Sequence, residues 1–166
     1  MNENETIAIK IIFDRWYANI KNFDTALNAI TDEQLQQEIA PGKNRAIYLL
    51  GHLIAVHDDM LRLLDLGDKM YPELYEQFLT APDRAVTEIP SAKKLRELWH
   101  EQNEILTQKF NSLQPEQWFE KHTAVSVEDF IKEPHRNKLN IIVNRTNHMC
   151  YHLGQIALLN SSLGSE

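Results

Sequence analysis

Apolar side chains recur every three or four residues through four long stretches of this chain, and polar or Pro- and Gly-containing segments separate them. From about Glu5 to Ile30 the recurrence takes in Ile9, Ile12, Phe13, Trp16, Ile20, Phe23, Leu27 and Ile30, the one-faced pattern of an amphipathic helix. Thr31 and Gln34 have the spacing of a capping box and predict a brief extra turn. Pro41-Gly42 then breaks the chain before a second helix over about Lys43 to Leu66. Gly67, Pro72, Pro82 and Pro90 punctuate the next stretch and predict a long crossover with room for one small helix near Pro72 to Leu79. Ser91 is placed to cap a third helix with Leu95, Leu98, Trp99, Ile105, Leu106, Phe110 and Leu113 on its apolar face, stopping near Asn111 ahead of Pro115. The fourth helix, about Asn137 to Asn160, carries Leu139, Ile142, Met149, Leu153 and Ile156, with Gly164 in the tail beyond it. Between Gln114 and Arg136 the pattern is irregular. Val125 and Val127 alternate like a short extended piece, and Phe130-Ile131 could cover an end of the core.

Four long helices without a convincing sheet define an all-α four-helix bundle. The short first link makes helices one and two antiparallel. The link between helices two and three is long enough to cross the bundle, so these two run the same way and the fourth returns, giving an up-down-down-up topology. At 166 residues with 43% hydrophobic content, the whole chain, 1–166, fits one domain with a real core.

Charge narrows the partners. The formal net charge of −7 repels nucleic acid and anionic membrane surfaces, and the short basic groups at Lys93, Lys94 and Arg96 and at Arg136 and Lys138 are interleaved with Glu and Asn. No apolar run approaches the length of a membrane span. The single Cys150 excludes an internal disulfide, and the N-terminal residues lack the basic and apolar regions of an export signal. The expected setting is the cytoplasm, with a small-molecule substrate rather than nucleic acid or membrane as partner.

His148 and His152 carry the clearest chemistry. A spacing of four sets two imidazoles one above the other on a helix face, and no acidic residue lies between Asn137 and Asn160 to compete with them. In the expected topology His52 stands roughly 13 Å from one end of the bundle, and the pair roughly 12 to 18 Å from the same end, at about 1.5 Å per residue. The levels match. His57 is the rival, but its side chain diverges from that of His52 by roughly 140° at about 100° per residue, so both cannot face one ion; His57 is expected at a boundary or in an interhelical hydrogen bond. Cys150 lies around the helix from the two histidines and is expected to be a small buried core residue. Asp59, two turns beyond His52, is a candidate to support a ligand imidazole or accept a proton, with an edge salt bridge as the alternative.

Gly51-His52-Leu53 in an amphipathic helix, His148-x-x-x-His152-Leu-Gly-Gln155 near the C-terminus and a Trp-containing first helix together resemble the DinB/YfiT-like superfamily of metal-dependent enzymes. The resemblance covers nearly the whole chain. It implies the up-down-down-up bundle, a homodimer, and a divalent metal, zinc or nickel, held by His52, His148 and His152. Many relatives carry Arg where this chain has Leu153. Relatives include bacillithiol S-transferases and a mycothiol-dependent isomerase, so the resemblance also implies a low-molecular-weight thiol cosubstrate.

Three neutral imidazoles would leave a divalent ion with an open coordination position, able to lower the pKa of bound water or to hold a thiol as thiolate. Trp16, Tyr48 and Tyr151 could wall an electrophile pocket, against ordinary core roles for each. Other motifs fall short. His100-Glu101-x-x-Glu104 lacks the second histidine of a zincin, and Glu97-x-x-His100 is half of a di-iron signature without its carboxylate partners; Glu97 and His100 read as an exposed helical pair, and His122 and His135 as loop residues. Two classes remain: a metal-dependent thiol S-transferase or related hydrolase acting on small electrophiles in detoxification or stress, and a non-enzymatic stress-associated binding or dimeric interaction protein with a structural metal or none.

Overall fold

The computed structural model describes residues 3–161, and among them the regular structure is helical. Gly164 lies outside the described residues. Helix α1 spans Glu3–Asn28 and α2 is the single turn Asp32–Leu35, closed at its start by the Thr31/Gln34 capping box. Helix α3, Ala46–Leu63, is shorter than the apolar pattern predicts. At its start Arg45 is extended, its backbone N–H and guanidinium both bonded to Asp83. At its end Asp65 takes a φ of 60°, and Leu66 N–H bonds Leu61 O while Asp65 N–H bonds Arg62 O, the paired bonds that terminate a helix with a left-handed residue.

The small helix expected near Pro72 to Leu79 is present in the crossover as helical Leu74 and Tyr75 leading into one wide π-type turn, Glu76–Thr80. Ser91 caps α4, Ala92–Ser112, by accepting from Lys94 N–H. The region from Gln114 to Arg136 differs most from expectation. A 3₁₀ turn over Pro115–Phe119 brings Trp118 against Phe13 and Phe110. Val125 is buried in a bend and Val127 is exposed at the start of α5, Val127–Lys132, so the two do not form an extended piece; the Ser126 side chain caps α5 between them. Ile131 is 75% exposed and covers no part of the core. Helix α6, Lys138–Ser161, follows Asn137, whose side chain accepts from Asn140 N–H.

Helix α1 packs along α6, and α3 packs against both α4 and α6. Their shared core includes Trp16, Phe23, Leu53, Ile54, Met60 and Trp99. Phe23 and Trp99 meet at 4.7 Å between ring centroids, and the Trp99 indole donates to Asp24 at 2.7 Å, so a large apolar ring is buried with its one polar atom satisfied. Among the described residues, no helix is long and apolar enough to cross a membrane.

Candidate metal centre

The seam between α3 and α6 brings His52, His148 and His152 together. Each offers a ring nitrogen, and these three atoms all lie within 4.8 Å of one another. His148 Nε2 stands 3.2 Å from His52 Nε2 and 2.9 Å from His152 Nε2. The backs of two rings are pinned. His52 Nδ1 donates to Phe78 O at 2.9 Å, and His152 Nδ1 donates to Gln155 Oε1 at 2.7 Å. With those protons committed outward, both Nε2 atoms present lone pairs to His148 Nε2, which can give a proton to only one of them.

A cation at the centre resolves that shortage. Burial lowers the pKa of His52, against the pull of the Phe78 carbonyl and with the help of the Arg145 charge. Burial likewise lowers His152, opposed by Gln155 and reinforced by His52, and drives His148 down to about 4 with help from His152, His52 and Arg145. The three rings are therefore neutral at pH 7, the state in which imidazole binds metal. Ligand nitrogens around a tetrahedral zinc stand about 3.3 Å apart, given bonds of about 2.0–2.1 Å, close to the 3.2 and 2.9 Å that separate His148 Nε2 from the other two. Among the described residues no further His, Cys, Asp or Glu joins the group, so an ion held there keeps an open position.

Local sequence explains the placement. Gly51 has no side chain, and a Cβ there would overlap the Phe78 ring; the bare glycine lets Phe78 seat against α3 with its carbonyl on His52. Tyr48, one turn before His52, lies nearly parallel to its ring at 6.4 Å and donates to Ala81 O at 2.8 Å. The π-type turn is thus fastened to α3 at Phe78 and again just beyond its end at Ala81. Beside His152 opens a cleft of about 230 Å³ lined by Leu49, Tyr151 and Gln155, with Lys43 and Asn44 also on its wall. A cleft of about 300 Å³ elsewhere, lined by Phe13, Tyr17, Phe110 and Trp118, has no charged side chain.

Several sequence expectations are corrected. His57 is fully buried, between Trp16 at 5.0 Å and Trp99 at 5.4 Å, and neither ring nitrogen has a hydrogen-bond partner; it is a core residue, neither boundary nor bridge. Burial, with the charges of Arg145, His148 and His52, pushes its pKa to about 3. Cys150 is exposed, its thiol donating to Asn19 Oδ1 at 3.0 Å, because Met149, His152 and Ile156 set the buried side of α6. Trp16 is core, Tyr48 flanks His52, and Tyr151 is 64% exposed rather than core, its ring edge-on to His152. Asp59 pairs with Lys69 at 3.0 Å at the edge of α3. Glu97 reaches Lys94 and His100 reaches Asp24, so these two exposed residues have other partners. His135 lies in an exposed turn as expected, whereas His122, also outside any helix, is buried with its pKa lowered by that burial.

Gln155 stood in the motif without a role, and its i+3 spacing from His152 was the signal for one. Phe78 acts through its backbone, which no side-chain pattern announces. Asp58, buried, accepts from Met70 and Tyr71 N–H at 2.9 Å each and anchors the start of the crossover.

Helical elements throughout the described residues, with three histidines converging from two of them and backed by fixed hydrogen bonds, define a protein able to hold one metal ion. The DinB superfamily model matches residues 15–156, and the chain belongs to that superfamily. No curated protein matches it.

Proposed function

We propose that this chain is a divalent-metal-dependent enzyme in which His52, His148 and His152 hold zinc or nickel, and that it transfers a low-molecular-weight thiol to a small electrophile in detoxification or stress. The observation that carries this reading is the convergence of three neutral imidazoles, one of which, His152, also lines the cleft beside Tyr151. An ion bound there would supply Lewis acidity that favours the thiolate, or hydroxide, form of a ligand in its open position.

The chain's own residues do the rest. Phe78 O and Gln155 Oε1 hold the outer ring protons of His52 and His152, keeping both Nε2 lone pairs inward. The Leu49 and Tyr151 side chains flank the cleft in which an electrophile would sit. In the transfer a sulfur–carbon bond forms, the bond from that carbon to halide or epoxide oxygen breaks with its electron pair, and the thiol proton leaves with the departing group or to solvent. We further read the four long helices as a single up-down-down-up domain, supported by the contacts of α3 with both α4 and α6, and the working species as a cytoplasmic homodimer. Asp59, already paired with Lys69, is assigned no step.

The test is thioether formation from bacillithiol, mycothiol or glutathione with a haloarene or epoxide. Metal-loaded protein should exceed the free-metal background, and His152→Ala should lose the increment. No turnover with all three thiols would favour a non-enzymatic binding or interaction protein.

A further inference from the structure

Among the described residues, Arg145 is the cation whose charge acts on the three-histidine site and that the metal reading does not use. It sits three residues before His148 on α6, within about 60° of His148 and about 20° of His152 around the helix at about 100° per residue. That angle puts it on the side of α6 that carries the two histidines, and its positive charge adds to what lowers the pKa values of His52, His57 and His148. Its Nε is buried and has no hydrogen-bond partner. The carboxylate that attracts it, Asp59, is engaged by Lys69 at 3.0 Å, and among the described residues no acid stands within 4.0 Å of the guanidinium.

A half-buried guanidinium without an acid is an unsatisfied arrangement. Withdrawing a cation from water is costly unless it gains charged or hydrogen-bonding partners, and burial here lowers the Arg145 pKa. The planar fork is suited to grip a carboxylate with two parallel bonds. Three neutral ligands would leave an ion's charge uncompensated, so the ion and Arg145 would draw an anion to the same stretch of seam. Lys43, on the wall of the cleft at the far side of His152, is exposed and therefore water-solvated, which leaves Arg145 as the desolvated anchor.

We propose that Arg145 is a substrate-binding residue that selects small molecules carrying a carboxylate a few bonds from the sulfur or oxygen that meets the ion. This rests on the metal reading of the triad and adds to it the charge class of the substrate.

Calorimetric titration of cobalt-loaded protein with 3-mercaptopropionate and with its uncharged counterpart 3-mercaptopropan-1-ol tests it. The acid should bind about tenfold or more tightly than the alcohol, the effect of one charge-assisted contact. Arg145→Gln should bring the ratio near one, Arg145→Lys should keep part of it, and Lys43→Gln should leave it unchanged. Equal binding of the two thiols to the unsubstituted protein would overturn the proposal, and that comparison stands even if Arg145→Gln fails to fold. Preference retained in a folded Arg145→Gln, or lost in Lys43→Gln, would also overturn it. If neither thiol binds, the thiol chemistry fails by itself and succinate decides the anion site: binding weakened about tenfold by Arg145→Gln supports it, and binding that is absent or equal in both proteins overturns it.

Discussion

Two hydrogen bonds at the outer nitrogens of His52 and His152 decide which lone pairs face the centre, so among individual residues the site depends on Phe78 O and Gln155 as much as on the rings. Gln155→Leu should weaken zinc affinity about tenfold, the usual effect of losing such a partner, while changing stability by no more than about 0.5 kcal/mol; competition against a chromophoric chelator and urea unfolding measure the two. His57 behaves differently. Its folded pKa of about 3 lies below the ordinary value of 6.5, so the unfolded chain binds the proton more readily, and the stability is whole above about pH 6.5 and is lost as pH falls below it. Between pH 6.5 and pH 5 that loss is about 2 kcal/mol from this group. His57→Leu removes the titration and two unpartnered buried nitrogens; its urea midpoint should fall less between those pH values than that of the unsubstituted protein. An equal fall in both would contradict the assignment. The i, i+4 spacing made His148 and His152 legible as a pair, and the level of His52 along the expected bundle made it their partner. The depth of His57 was not legible, because Trp16 and Trp99 close over it from two other helices.

Among the helices and turns, the three-four periodicity located every long helix because each buries one continuous face. Some of their ends follow local caps such as Ser91 and Asn137, and others are set by contacts remote in sequence. Arg45 is drawn out of helical conformation by Asp83, and the loop after α5 is tied to the chain ahead of it by the Lys121–Asn137 bridge. The stretch from Gln114 to Arg136 has no single periodicity because it alternates a 3₁₀ turn, a bend and six residues of α5. The sharpest dependence between elements is at Gly51. Within a helix, Gly→Ala ordinarily gains about 1 kcal/mol, but here the added methyl meets the Phe78 ring. Gly51→Ala should therefore lower the thermal midpoint, with zinc affinity falling about tenfold or more as the Phe78 carbonyl leaves His52. A stabilised variant with unchanged zinc affinity would show that the turn carries no such role.

Across the molecule, a chain with a net charge of −7 concentrates neutral nitrogen donors and Arg145 in one seam, so the site's local charge opposes that of the protein around it. The all-helical fold and the DinB relationship were legible because the histidine spacings and the helical pattern agree. The substrate was not, because the cleft beside His152 is shaped by residues from several separate segments. Three histidines from α3 and α6 should act as one metal-binding unit, and everything proposed for the site depends on that. Metal analysis of protein purified without an affinity tag and titrated with zinc tests this most directly, alongside His52→Ala, His148→Ala, His152→Ala and His57→Leu. One tightly bound ion per chain, lost in each of the first three variants and retained in His57→Leu, is the predicted result; no ion at stoichiometric zinc, or one ion still held tightly by His148→Ala, would contradict it.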